Sequence, residues 1–518
     1  MRLHHSARNL AVSWGGQALF LVTNLVALGI FGRQMPEGAN TVMAVFTSLL
    51  ATLSLAELGI GSAIIYALYE PLAKHDTEKI RSLMRLFRRA YICIGIGIFL
   101  VGCVLLPFLQ ELFDGDVGIS LFDLRLYFIC YLVNSSISYF FSYKGALIQA
   151  DQQKYILALY QYGFQVLMNI AQIIVLLLTQ SFLLFLVCQV ASTFLQNLFI
   201  YLRANRMYPY LLGRSEIQPI DPPTLATIKK NVAALVMHKL AYVISTPAST
   251  LIISMGIPLS VNPTAAASYG YYYTTIALSL TRVMDQIFDA IVASVGNLAV
   301  TESSARQLEV FKTAFFVNAF AYTVTAVPLL CVFNLFVSEL WVGPNYVLPV
   351  PVTALVVALY FLKGMRSAGL SFTNAYGLYW FTRWKAVLET AVLLVLSLTL
   401  VHFFEIAGVL AAGIITTVCV SAIYEGVMLF RHGLKTSSRG YFVSFALYTL
   451  LACGLAVAAC GLTALIPLSG IAGFLVKGIC GLLIAAGGFI VPFCRSREFA
   501  ECVAMAHRLM TSVRARRQ

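Results

Sequence analysis

Charge is scarce in this chain. Asp, Glu, Lys and Arg make up 11% of its 518 residues, against 60% apolar residues. A soluble domain carries about a quarter charged residues, so a soluble enzyme is excluded, and the mean hydropathy of +0.84 agrees. There is no GxxxxGK[ST] phosphate loop, so nucleotide hydrolysis is not the drive. The eleven cysteines form no CxxC pair, which leaves no disulfide framework, no metal site and no expected cofactor. Acids are also few, 22 against 35 Lys and Arg. The resulting net charge of +13 reads as affinity for anionic lipid headgroups rather than for nucleic acid.

What the sequence has is apolar length. Fourteen stretches, at 10–32, 40–68, 90–110, 121–148, 155–178, 182–202, 231–256, 265–296, 313–337, 347–374, 386–402, 407–430, 442–466 and 470–492, each suit a membrane-spanning helix, which takes about 20 residues. The cations alternate with them. Of the 35 Lys and Arg, 28 fall in the N-terminus, 74–89, 144–154, 203–230, 306–312, 383–385, 431–439 and the tail from 495, and only Arg33 falls in an alternate gap. By the positive-inside rule these basic gaps and both termini face the cytoplasm. The first stretch follows a short basic segment but is too long for a signal peptide, and reads as a retained helix.

Outward gaps are short. The most polar, with Glu111, Asp114 and Asp116, is about a dozen residues, so no extracytoplasmic catalytic domain fits and no catalytic residue is assigned. The largest inward gap contains Pro222 and Pro223 and reads as a linker. Shifting the first six helices by 222 residues lays them on the next six: Arg8-Asn9 falls on Lys230-Asn231, Gln17 on Lys239 and Lys144 on Arg366. Six being even, both halves enter the membrane in the same sense. The expected organisation is an N-lobe at 1–203, a linker at 204–228, a C-lobe at 229–430, two further helices at 431–492 and a basic tail at 493–518.

Six cations remain inside the membrane: Arg125, Lys239, Arg282, Lys363, Arg366 and Lys477. A charge at the bilayer centre costs about 2.5 to 3.5 kcal/mol on insertion scales, so each needs a partner, a wet cavity or a route to the interface. Arg125, beside Asp123, and Lys477, among glycines, suit interface charges that snorkel. Lys239 lies about 14 Å in from Lys230 at 1.5 Å per residue. Lys363 and Arg366, three apart, share a helix face, as do Arg282, Asp285 and Asp289. Together they suggest a water-filled cavity with a positive wall, suited to a phosphate or pyrophosphate. The structural alternatives are an Arg282–Asp285 pair within one helix and partners for Lys239, Lys363 and Arg366 on other helices, such as Asp289 or Glu389. Glu57, followed by Gly59 and Gly61, is a protonation switch or a structural carboxyl. Tyr271, Tyr272 and Tyr273 are expected in an aromatic belt at the outer interface.

The string SLAELGIGSAIIYALYEPLA (54–73), then a basic run and Tyr91, resembles the second and third helices of Wzx-type polysaccharide flippases of the multidrug/oligosaccharidyl-lipid/polysaccharide exporter superfamily. SYFFSYKGALIQADQQKY (138–155), KNVAALVMHKLAYVIS (230–245), ASVGNL (293–298) and LWVGPNY (340–346) follow in the same order. One departure stands out. A Thr-Asp pair common in the seventh helix of that family is replaced here by residues 245–250, with Pro247 and no acid.

The resemblance implies an all-α polytopic membrane protein of about 14 helices, two six-helix lobes plus two C-terminal helices, V-shaped and working by alternating access. It implies translocation of an undecaprenyl-pyrophosphate-linked oligosaccharide from the inner to the outer leaflet of the bacterial cytoplasmic membrane, for exopolysaccharide, capsule or O-antigen assembly. Lys239, Arg366 and Lys144 stand at matching motif positions, and with Arg282 and Lys363 they are the expected substrate-binding set. Glu57, Asp285 and Asp289 are the candidates for ion coupling; membrane potential is the other possible drive, at about 2.3 kcal/mol per charge and 100 mV. Expected partners are the lipid-linked glycan, the bilayer and polysaccharide polymerase or export proteins, with a monomer as the working unit. The rival functions are a cation-coupled drug or metabolite antiporter of the same superfamily, which calls for acids rather than a basic surplus, and a membrane polymerase or ligase, which calls for a large outward loop.

Overall fold

A computed structural model of the chain describes residues 2–53, 60–151, 153–212, 247–289, 295 and 303–504. Among the described residues every regular element is helical and there is no strand. Nine helical segments among them are long and apolar enough to cross a membrane, and each of the fourteen apolar stretches carries helix over its described part. The protein is a multi-pass membrane protein. Hydrogen bonding of backbone N–H to C=O groups within each segment is what lipid demands of a spanning element.

The helices in chain order are α1 (Arg2–Gln34), α2 (Glu37–Leu53), α3 (Ile60–Ala73), α4 (Thr77–Leu105), α5 (Leu121–Ala150), α6 (Lys154–Thr179), α7 (Phe182–Met207) and α8 (Pro247–Gly256). They continue as α9 (Ala265–Tyr269), α10 (Leu278–Asp289), α11 (Ser304–Leu335), α12 (Val350–Met365), α13 (Ser367–Ala375), α14 (Tyr379–Ile415), α15 (Ile423–Met428), α16 (Arg439–Ala464) and α17 (Gly470–Phe493). A π-helical stretch, Gly270–Ala277, joins α9 to α10. Polar caps fix several starts: Asp76 accepts from the Lys79 N–H, and Ser120, Ser181 and Ser303 accept from Asp123, Leu184 and Arg306.

The chain divides into two compact units, one of residues 1–267 with 341–343, the other of 268–340 with 344–518. The expected linker and the start of the expected C-lobe fall largely in 213–246, outside the described residues. In the first unit α1 packs on α6, and α5 on α4 and α7. Its core runs through Leu68, Leu83, Phe87, Tyr139 and Leu147. Arg33, the cation that breaks the charge alternation, donates from Nε to the Trp341 carbonyl at 2.6 Å. In the second unit α11 is the central helix, packing on α12, α16 and α17. Close approach is allowed by glycine: a Cβ on Gly481 would lie 2.9 Å from the Pro328 Cα.

Candidate functional site

The second unit holds most of the chemistry, and it starts where a span breaks. The stretch expected as one helix at 347–374 is α12 and α13, parted at Arg366. From that break the Arg366 guanidinium reaches Glu425, donating from Nε to Oε2 at 2.8 Å and from Nη2 to Oε1 at 2.6 Å. This bidentate geometry is the strongest form of the Arg–carboxylate pair. Glu389 lies 3.6 Å from Nη1, and Lys385 closes the set at 2.8 Å from Glu389 and 2.7 Å from Glu425. Arg366 and Glu425 side chains are 7% and 6% exposed. Two cations and two carboxylates sum to zero, so Arg366 presents no free charge in this arrangement.

Lys363 takes a different direction. Its Nζ donates to the Tyr273 hydroxyl at 2.6 Å and stands 5.3 Å from that ring's centroid. The three-residue spacing that seemed to put Lys363 and Arg366 to one use therefore sends them to different elements, Gly270–Ala277 and α15. Lys363 is half-buried and Arg282 exposed. Asp285, on the same helix as Arg282, accepts from Ser367 Oγ at 3.1 Å, and Ser367 lies 3.3 Å from the Tyr322 hydroxyl. A serine has one hydroxyl proton, so Tyr322 is the donor in the second bond and the chain runs Tyr322 to Ser367 to Asp285.

The tyrosine run is not a membrane belt. Tyr271, Tyr272 and Tyr273 are 3%, 0% and 2% exposed. The Tyr272 hydroxyl donates to Asn334 Oδ1 at 2.7 Å, and the Tyr271 ring meets Tyr346 edge-on at 5.2 Å. Buried phenols with polar partners replace the interface anchoring expected from position alone.

Beside this region, α11, α12, α16 and α17 line a groove of about 570 Å³. Val357, Phe361, Ala452 and Ala456 give it apolar walls, with Asn334 and Thr353 among its few polar groups. Lys477, expected to snorkel, lines the groove. Arg125 is exposed near the start of α5, as an end charge should be.

Lys144 belongs to the first unit. It is buried, bonded to Asn205 Oδ1, with its ammonium 3.6 Å from the Tyr201 ring centroid, so amide and aromatic face together stabilise the charge. Lys239 and Glu57 lie outside the described residues, and of Asp289 only the helical backbone is described. Glu425 and Lys385 were not among the expected site residues. The signal for Glu425 was present, as the single acid in the apolar stretch 407–430. Lys385 was concealed among the cytoplasmic cations.

Searches with the sequence found no matching family model and no matching curated protein. Solved structures do match in fold. The "Lipid II flippase MurJ, inward closed conformation" superposes with a TM-score of 0.66 at 11% identity, covering 94% of this chain and 98% of that one. An inward-facing multidrug resistance MATE family transporter of the MOP superfamily gives 0.62 at 12% identity, over 81% and 95%. A MOP superfamily transporter from Pyrococcus furiosus, for which the reverse polarity of its binding pocket suggests a different function, gives 0.56 at 11%, over 83% and 95%. At these identities the likeness is one of fold. This chain has the all-helical fold of MOP-superfamily transporters, and these neighbours carry the names of transporters and a flippase rather than of enzymes.

Proposed function

We propose that this protein is a flippase for undecaprenyl-pyrophosphate-linked oligosaccharide repeat units, moving them from the inner to the outer leaflet of the bacterial cytoplasmic membrane by alternating access. The observation that carries the reading is an apolar groove of about 570 Å³ with Lys477 on its wall, in the same unit as the cations Lys363 and Arg282. A polyprenyl chain gains little by leaving lipid for such a groove, since lipid tails are as apolar as its walls. The groove instead lets the chain follow a headgroup that cannot cross hydrocarbon, where burial of unpaired polar groups and phosphate charge costs several kcal/mol each. No covalent step is needed.

In this proposal Lys363 and Arg282 hold the pyrophosphate during transit, Lys239 is a further candidate, and Lys144, committed to Asn205 and Tyr201, serves its own unit instead. Arg366, neutralised by Glu425 and Glu389, positions α12 and α13 instead of gripping substrate. The lipid-linked glycan, the bilayer and the polymerase or export proteins that take the product are the proposed partners, and a monomer is the proposed unit. The second reading, a cation-coupled antiporter, is favoured by Asp285, an intramembrane carboxylate at the end of a hydroxyl chain, with Glu57 and Asp289 as its further candidates.

Complementation of a strain lacking its exopolysaccharide flippase tests both. Wild type restores surface polysaccharide, while Lys363→Ala and Arg282→Ala at matched membrane levels lower it about tenfold, as the loss of one charge contact of about 1.4 kcal/mol would. Full activity of both variants removes the pyrophosphate grip. Export of a cationic dye, lost in Asp285→Asn, selects the antiporter.

A further inference from the structure

We propose that Cys331 and Cys460 form a modification site, a dithiol that a disulfide oxidant converts into a covalent link across the wall of the apolar groove. Their sulfurs lie 4.0 Å apart on α11 and α16, and both residues line the groove. A disulfide needs about 2.05 Å between sulfurs and about 3.8 Å between Cβ atoms. From 4.0 Å the two sulfurs have about 2 Å left to close.

The spacing of the helices is set by packing. Val327, Ala459 and Ala485 interlock at 2%, 0% and 0% exposure, with Cys331, Leu455 and Ala456 against them. Small residues there leave no slack for the sulfurs to drift apart. Both helices start at basic ends, with Arg306 on α11 and Arg439 on α16, and both cysteines lie toward the opposite ends. Under the positive-inside assignment that is the outer half of the membrane, the side on which disulfides persist.

The chemistry balances with an external disulfide R–S–S–R as the oxidant. One cysteine, as thiolate, attacks a sulfur of the reagent, forming a mixed disulfide and releasing one RSH. The second cysteine then attacks the protein-bound sulfur and releases the other RSH. Two thiol hydrogens and two electrons leave the protein and reduce one reagent disulfide to two thiols. The product fixes α11 to α16 and so sets the width of the groove. The inference rests on these two helices alone and holds whether or not the groove carries a polyprenyl chain.

The full-length protein in membrane vesicles is treated with 4,4′-dithiodipyridine, an apolar disulfide, at rising dose until Cys453 is fully modified. Cys453 is exposed, lines the same groove and lies seven residues before Cys460 on α16, about 10 Å along the helix, so it reports access of the reagent. Free thiols are then alkylated and the digest read by mass spectrometry with and without dithiothreitol. The expected result is a Cys331–Cys460 linked peptide as the most abundant linked pair, removed by reduction and lost entirely in C331S and in C460S. Recovery of Cys331 and Cys460 as separate alkylated or mixed-disulfide residues at that dose overturns the proposal.

Discussion

Arg366 shows how a residue's charge and its use can part. An arginine deep in an apolar stretch looks available to an anion, yet two carboxylates from two other helices claim it. Removing one member leaves a buried charge unpaired, which costs about 3 to 5 kcal/mol, whereas removing a matched pair is often close to neutral. Glu425→Ala should therefore lower the thermal midpoint of the detergent-solubilised protein steeply, and Arg366→Met combined with Glu425→Leu much less, because Lys385 and Glu389 still balance. Equal losses in the single and double variants would mean that the set is not an energetic unit. The existence of intramembrane cations was legible from composition and spacing. Their allegiance was legible only in part: Glu389, named as a partner on another helix, lies 3.6 Å from Arg366, but Glu425 is 59 residues away, and nothing in periodicity links two helices across that separation. Lys363 carries the opposite lesson: its partner, Tyr273, sat in a run whose amphipathic character suggested an interface and whose hydroxyls were wanted inside.

At the scale of elements, the apolar runs foretold where helices stand because a spanning segment must satisfy its own backbone. They did not foretell every interruption. The break at Arg366, inside the stretch 347–374, depends on contacts with other segments, whereas the kink at Glu405, where φ is 50° inside α14, falls in the gap that the runs left between 402 and 407. Glycines carry some of those contacts. A Cβ at Gly364 would fall 2.0 Å from Tyr322 Cε1, and Tyr322, fully buried with its hydroxyl committed to Ser367, cannot swing away. Gly364→Ala should cost about 1 to 3 kcal/mol, the usual range for overpacking. Gly369→Ala, which meets nothing within 4 Å, is the matched control in thermal unfolding; similar losses from both would place the cost in the backbone and not in Tyr322.

Across the whole molecule, the clearest signal was the alternation of charge, which sorts fourteen stretches before any contact is known. The basic tail adds a contact that alternation does not specify. Its helical segment 497–504 is tied to α11 through Glu501, which accepts from Thr313 Oγ1 at 2.6 Å and pairs with Arg306 at 3.2 Å. The Thr313 hydroxyl, then Arg306, hold the Glu501 carboxyl below the ordinary carboxylate range. A depressed folded-state pKa means that this contribution is complete above the ordinary value and fades as pH falls through the folded one. Amide exchange in 497–504 should accordingly be slow at pH 7 and, after correction for the intrinsic rate, faster at pH below the ordinary carboxylate range, with Glu501→Gln fast at both. The neutral set around Arg366 has a last consequence, for biosynthesis. The ribosome makes the arginine first and its principal carboxylate 59 residues later, a delay of about 3 to 12 s at 5 to 20 residues per second. Through that interval the nascent segment carrying Arg366 has Glu389 but no Glu425 to meet, and a chain truncated before α15 would never supply it.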